Sequence, residues 1–551
     1  MRGRRRLLLV LVPLLALGVW AAIRVRRAVE ARAEAALRQA GFTAHSVSFS
    51  WLGPLRLEQV AGEMPGGGRL AIDTALLRWS VFGTREPRTH LSRVVLRGLR
   101  LERPPLAAAW PEADFDVVAW RREDGVERLT LKQHAGDGTI EASRVAADTG
   151  TELTLAQLDL GAAEVLWNGD RVLSPGRWSG RATFAGSAER FESAGTFHGD
   201  AVRLTPPGPV QADGEGAPTA MDVEWTLHGR GDTVEIGRLA ARLPGIDVNA
   251  HGAVRTTPDR HVDIALTARC ELADALRTAG LELPLKGARA GRLGAADLDL
   301  SMRGPLAEPG ALVIDPRLRF EPEPALEAAF SYLRAPFVYR PDVSPGVEVD
   351  VRDGAPDFIA IEAVPALFQR ALIVSEDAGF PRHCGIDLAE IAAAWAENEE
   401  EGRRLRGAST ITQQLVKNLL LSSEKTYGRK LKEAALALML DAAVPKSRLL
   451  EIYVNIIEWG PRLHGLVPAA RHYFDKRPDE LTPKEIAFLV CLIPSPVRYH
   501  QAHEAGRIGP GMEQLVHNLL AKLHSLGELD DGAYQEALDE ELQFAAETAP
   551  S

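Results

Sequence analysis

The chain has 551 residues, 46% of them hydrophobic and 25% charged, with a formal net charge of -11. That composition belongs to a folded protein of several domains and gives no electrostatic ground for a nucleic-acid partner. Its cysteines, Cys270, Cys384 and Cys491, are odd in number and far apart, which argues against a disulfide framework or a paired-cysteine metal site.

Residues 1–27 hold an arginine-rich tip (MRGRRR), an apolar run at 7–23 and the stretch RVRR. The run is at the short end of what spans a bilayer, and the arginines before it favour a cytoplasmic N-terminus. Arginines occupy the place where a small-x-small cleavage pattern would lie, so an uncleaved single-pass transmembrane anchor is expected.

Residues 28–40 read as a continuing helix that stops near Gly41. From there to about residue 320, short alternating runs recur, among them HSVSFSWL, VVLRGLRLE, TELTLAQLDL and AADLDLSMRG. Period-two alternation broken by Gly, Pro and Asp predicts antiparallel strands with one dry face. The texture has no fixed period, so a solenoid is not expected. The anchor followed by VSFSWLGPLRLEQV and RVVLRGLRLERPP resembles the AsmA-like proteins of Gram-negative envelopes. That resemblance implies a β-rich groove or shell near the membrane, in some cases tied to lipid handling. A plain spacer is the other reading of residues 28–325.

Beyond residue 320 the period becomes helical. Residues 326–344 read as a linker that includes helix, 345–505 as a mostly helical domain and 506–551 as a helical tail. The fold class expected is multidomain α+β.

Four polar clusters fall close together in the helical part. The first is Glu376-Asp377-x-x-Phe380-x-x-His383-x-Gly385. Neighbours on a helix point roughly 100° apart, so Glu376 and Asp377 cannot both face one cleft. Asp377 then suits bracing the turn, His383 a structural hydrogen bond, and Gly385 the turn before a helix capped by Asp387 and Glu390. The second is GASTITQQLVKN, from Gly407 to Asn418. Thr410 and Gln413 form a capping-box pattern that starts a helix, and Thr410, Gln414 and Lys417 share one polar stripe. Such a helix start suits an anion; an ordinary solvated face is the alternative.

In the third, Arg429, Lys430 and Glu433 are helix neighbours. A carboxylate between two cations is a poor proton acceptor but a good holder of both; alone, it could be a surface ion pair. The fourth runs from Lys446 to Asn455. Pro445 breaks the preceding helix, Ser447 is a plausible N-cap, and Leu449, Leu450, Tyr453 and Val454 make an apolar stripe. Glu451 and Asn455 are placed to brace a cleft.

In order, these clusters meet E-D-x-x-F-x-x-H-x-G, G-x-S-T-I-T-Q-Q, R-K-x-x-E and K-x-x-(I/L)-L-E-x-Y-x-N. Residues 345–500 thereby resemble the peptidoglycan glycosyltransferases of glycosyltransferase family 51, and the stretch from Asn455 to Pro496 resembles its monofunctional biosynthetic members. The resemblance implies a mostly α-helical, lysozyme-like domain that polymerises lipid II with inversion and releases undecaprenyl pyrophosphate.

It casts Glu376 as the general base, with Glu433 assisting at the leaving group. Lys417, Arg429 and Lys430 would contact phosphate, with Ser409, Thr410, Gln413 and Gln414 lining the site. Asp377, Phe380, His383, Gly385, Gly407, Glu451, Tyr453 and Asn455 fall to the structural part of the motifs. No metal site is indicated, although the reaction could accommodate a divalent cation, Mg or Mn, at the pyrophosphate.

The implied partners are lipid II, the growing glycan strand and inner-membrane lipid, with the bulk of the chain periplasmic. No Lys-Thr-Gly triad follows, so a separate transpeptidase would make the cross-links, and SSEK at 422–425 reads as a chance match. One departure is the acidic stretch Glu397 to Glu401, where the family touches the membrane; Ile391 and Trp395 could still insert.

Two rival readings follow. One is a lysozyme-like hydrolase with paired carboxylates, which has no use for the three cations. The other is an envelope scaffold with an inactive transferase domain, which the intact motifs oppose.

Overall fold

The computed structural model describes residue 24 and residues 26–545, apart from 51–52, 65–67, 83–87, 104–105, 124–125, 146–149, 168–169, 187–189, 205–216, 256–259, 286–292, 401–406, 422–426 and 498–505. The expected anchor at 7–23, its arginine tip, SSEK and part of the acidic stretch lie outside the described residues. Among the described residues, no helix is long and apolar enough to cross a membrane.

The chain divides into two compact units, Met1–Ala265 with Arg277–Gly280, and Leu266–Leu276 with Leu281–Ser551. In the first unit a helix, α1, covers 26–39, and a ladder of antiparallel strands follows. Leu55–Met64, Gly68–Phe82, Arg88–Arg103 and Leu106–Glu123 pair in sequence order. Their register aligns Leu57, Ala75, Leu96 and Ala113 in one row across four strands. Leu57, Ala75 and Ala113 are buried.

Side chains alternate faces along a strand, so the neighbours of this row point away from it. There Arg97 meets Glu112 at 2.9 Å. Further along the ladder Arg128 meets Glu141 at 3.0 Å and Arg181 meets Glu152 at 3.0 Å. Exposed pairs of this kind add little stability, but they cover the wet side of a sheet whose other side is dry. Gln157 and Ala201 take left-handed φ values of 50° and 59° where the strand register shifts, as β-bulges require.

The second unit is mostly helical and holds the larger core. It begins with the end of the strand His261–Glu271 and most of a short helix, Leu272–Thr278, and continues with the hairpin Ala295–Pro305 and Val313–Glu321. The segment expected to be a linker is part of the core instead: α2 (Ala325–Ala329) and α3 (Ser331–Arg334) bury Leu326, Phe330 and Leu333. Arg334 Nε donates to Ala443 O at 2.8 Å, and Arg448 Nε donates to Leu333 O at 2.9 Å.

The remaining helices are α4 (Ala366–Glu376), α5 (Leu388–Glu400), α6 (Ile411–Leu420), α7 (Tyr427–Ala443), α8 (Lys446–Ile456), α9 (Leu466–Phe474), α10 (Pro483–Leu492), α11 (Pro510–Ser525) and α12 (Asp531–Asp539). Helix α8 starts at Lys446 with Pro445 as its N-cap residue, two residues earlier than a Ser447 cap would place it. Helix α10 is buried from Lys484 to Leu492. The Thr482–Glu485 capping box fixes its start, and buried Lys484 donates to Leu538 O at 3.2 Å.

The C-terminal segment is likewise no loose tail. Val516, Leu520 and Leu523 are buried, Phe544 stacks on Phe474 at 5.8 Å, and Lys522 Nζ donates to Val374 O at 2.9 Å. That ammonium satisfies a carbonyl in the last turn of α4, where helix carbonyls lack partners.

Candidate active site

Helix α4 ends at Glu376, and α6 begins at Ile411. The chain turns between them at Asp377, whose backbone leaves the helix with φ -165° and ψ 75°. The Asp377 carboxylate accepts from His383 Nε2 at 2.9 Å and from the Ile411 amide at 2.9 Å. His383 Nδ1 accepts from the Gly385 amide at 3.0 Å, which leaves the ring proton on Nε2. Asp377 is 8% exposed; it ties the first cluster to the second and leaves Glu376 as the acid turned elsewhere.

Phe380 is buried, with the Lys446 ammonium 4.4 Å from its ring centroid. Gly385 has φ +93°, and a Cβ there would lie 2.3 Å from Ala437 O. A side chain meets both a backbone penalty and a clash. Gly385→Ala is expected to lower the stability of the helical unit by about 2 kcal/mol or more, read as a fall in the chemical-denaturation midpoint.

Thr410 caps α6 as the sequence pattern requires. Its hydroxyl accepts from Gln413 N at 3.1 Å and donates to Gly385 O at 2.7 Å, and the Gln413 side chain accepts from Thr410 N at 3.1 Å. Both residues are 2% exposed. The Thr410 amide and hydroxyl and the Gln413 amide and side-chain oxygen serve the cap. Thr410→Ala should cost about 1 kcal/mol, measurable in the same denaturation experiment. Gly407 lies exposed before the cap, and Ser409 accepts from Lys430 Nζ at 2.9 Å.

Gln414, one residue on, faces the other way and donates from Nε2 to Glu376 Oε2 at 2.9 Å. Burial pushes the Glu376 carboxyl above its ordinary value; Asp377 adds to this, while Gln414 and Lys417 oppose it. Lys417 follows on α6 with an exposed side chain. The surrounding protein lowers its ammonium from the ordinary value, with Arg429 and Lys430 adding and Glu433 and Glu376 opposing. Lys417 therefore feels both glutamates.

On α7, Glu433 is 3% exposed. It accepts from Arg429 Nη1 at 2.7 Å and from Lys430 Nζ. A cavity of about 320 Å³ opens beside Gln414 and Lys417, with Tyr339, Glu458 and His464 on its walls.

Helix α8 supports the site from below. Asn455 exchanges hydrogen bonds with the Ile359 backbone at 2.9 and 2.8 Å, and Glu451 accepts from Ile361 N at 2.9 Å. Tyr453 is fully buried, and its hydroxyl donates to Gln414 Oε1 at 2.8 Å. Asp441 joins α6 to α8, accepting from Thr412 at 2.9 Å and Lys446 at 2.7 Å. Sequence patterns singled out neither the Tyr453–Gln414 bond nor Asp441, since both depend on side chains from separate helices.

Among the described residues, no group of three or more His, Cys, Asp or Glu could hold a metal ion. The charged groups that act on Lys417 are mixed, Arg429 and Lys430 with Glu433 and Glu376. Ile391 and Trp395 on α5 are exposed.

Residues 348–519 match the family model described as Transglycosylase. A biosynthetic peptidoglycan transglycosylase of Alcanivorax borkumensis is 40% identical over 163 residues, 30% of this chain and 64% of that protein. One of Nitrosospira multiformis is 39% identical over 168 residues, again 30% of this chain but 71% of the relative. The chain spans under two thirds of several such relatives, for example 60% of the protein from Laribacter hongkongensis. A crystal structure of penicillin-binding protein 1A from Haemophilus influenzae aligns at 18% identity over 38% of this chain and 21% of that one, with a TM-score of 0.20, too slight a likeness to carry an argument.

Proposed function

The chain belongs to the transglycosylase family through residues 348–519, and from that premise we propose that it polymerises lipid II into glycan strands. The observation that carries this reading is a pair of unlike carboxylates, Glu376 bonded to the Gln414 amide and Glu433 bonded to Arg429 and Lys430. Glu376 is raised by burial and bonded to a neutral amide. Glu433 is neutralised by two cations. A group pushed towards neutral proton affinity suits a general base, and a cluster of cations suits a leaving pyrophosphate.

In this reading the acceptor sugar 4-hydroxyl gives its proton to Glu376 as its oxygen bonds to the donor's anomeric carbon. The bond from that carbon to the pyrophosphate oxygen breaks, and the configuration inverts. Lys417, Arg429 and Lys430 take up the charge that grows on the departing undecaprenyl pyrophosphate. Glu433 holds Arg429 and Lys430 in place and assists there. No step here is routed through a metal ion. A hydrolase would have water in place of the acceptor hydroxyl and no use for three cations.

We place the protein at the bacterial inner membrane, anchored through residues 7–23 with the rest periplasmic. Its cross-links would come from a separate transpeptidase. Incubating purified lipid II with the full chain tests the reading. Glycan strands from wild type but not from Glu376→Gln support it; no glycan from folded wild type overturns it.

A further inference from the structure

Three side chains from three helices form a line that ends on the base: Tyr453 on α8, Gln414 on α6 and Glu376 on α4. The hydroxyl of Tyr453 is 2.8 Å from Gln414 Oε1, and Gln414 Nε2 is 2.9 Å from Glu376 Oε2. The chemistry of each group fixes the direction of both bonds. A carboxylate can only accept, so the amide must turn its NH₂ towards Glu376. That leaves the amide oxygen facing inward, where it needs a donor. Tyr453 is 0% exposed and supplies that donor. The donor to that oxygen is the Tyr453 hydroxyl, while the side-chain oxygen of neighbouring Gln413 accepts from Thr410 N.

We infer that Tyr453 is a positioning residue that locks the Gln414 amide in the one orientation that donates to Glu376, and so sets how readily Glu376 takes a proton. This rests on the assignment of Glu376 as the base. Burial holds the Tyr453 phenol well above its ordinary value, so the hydroxyl remains a donor throughout the working range.

The other groups that face Glu376 do not supply this donor. Asp377, its chain neighbour, raises Glu376 and is occupied by His383 and Ile411 N. Lys417 lowers it by charge alone. Cys491, on α10, is a thiol that burial and Glu376 together push up to about 12. It stays neutral and is a weak donor at best. The Lys522 ammonium is on Val374 O.

Without the hydroxyl, nothing opposes a turn of the amide that brings its oxygen towards the carboxylate. Glu376 then loses a donor to its charged form, and its proton affinity rises.

The full chain is titrated by infrared difference spectroscopy, with the Glu376→Gln spectrum identifying the Glu376 carboxyl band. In Tyr453→Phe, which leaves the ring in place, the midpoint of that band should move up by about one pH unit. Gln414→Leu should move it by a similar amount. The double variant should match Gln414→Leu alone, because the tyrosine acts only through the amide. The acidic limb of kcat/KM for lipid II polymerisation should shift upward with the midpoint, a change that a general loss of packing would not produce.

Coincident midpoints in Tyr453→Phe and wild type overturn the relay, as do shifts that add in the double variant. If wild type makes glycan and the midpoints coincide, the relay fails and the transferase reading stands. If wild type makes no glycan, that reading fails, and the infrared titration still decides the relay. Should Tyr453→Phe not fold, Gln414→Leu against wild type tests whether the amide sets the midpoint, and an unmoved midpoint there overturns the proposal.

Discussion

Glu376→Gln is expected to lower lipid II polymerisation by roughly 10²–10⁴-fold and at the same time to make the helical unit more stable at neutral pH. The first effect follows from removing the proton acceptor while keeping its shape. The second follows from linkage. Burial raises the folded-state proton affinity of Glu376 above its unfolded value. Its favourable contribution is therefore complete below the unfolded pKa and is lost as pH rises through the folded pKa. Wild type loses that contribution as pH rises, and a glutamine, which never ionises, has nothing to lose. The stability gain should accordingly vanish in acid, where wild-type Glu376 is protonated. Denaturation midpoints of the two proteins at neutral and acid pH, together with glycan formation by each, check both halves. A variant that is inactive but less stable at neutral pH would point to a structural role for Glu376 instead.

The second large effect is expected at Glu433. Its side chain is 4% exposed, that of Arg429 17% and that of Lys430 45%. Glu433→Ala leaves the Arg429 guanidinium without its carboxylate in a largely buried place. Removing one partner of a buried ion pair costs about 3 kcal/mol or more; Lys430, half in solvent, adds little to that figure. Both cations should also lose their orientation, and polymerisation should fall by about 10²-fold or more. Glu433→Gln separates the two consequences. It can still accept hydrogen bonds from Arg429 and Lys430, so it should recover part of the stability while the rate stays low. Equal recovery of both would mean that Glu433 does no more than hold the helix together.

What the sequence made legible was the local part. The Thr410–Gln413 cap is visible as a four-residue pattern because all its bonds are made within one helical turn. The strands of the first unit are visible in the alternation around Leu96 and Arg97, since one residue of offset decides which face meets water. That Glu376 and Asp377 cannot both face one cleft is readable from helical geometry alone.

The unreadable part was tertiary. Nothing near Tyr453 in sequence indicates that its hydroxyl ends on Gln414, 39 positions away. Thr410 and Gln413 look like surface polar residues until the cap is seen to be buried under Gly385. Lys522, in what reads as a tail, caps a carbonyl of the helix that carries Glu376. In each case the deciding partner comes from a distant element, and local propensity carries no information about it.

The packing of Phe330, Leu333 and Arg334 has a consequence for heredity. The stretch that matches the family model begins at residue 348, yet Phe330 and Leu333 are 1% and 0% exposed in the same core, and the Arg334 guanidinium is bonded to Ala443 O. The portable gene segment and the folding unit therefore have different borders. A transplant of residues 348–519 into another protein would carry all four signature clusters. It would arrive with a hole where two large side chains belong, with Arg448 stripped of its acceptor at Leu333, and without Lys522 beneath Val374. A graft that begins ahead of Leu326 and ends beyond Phe544 would carry its own seal.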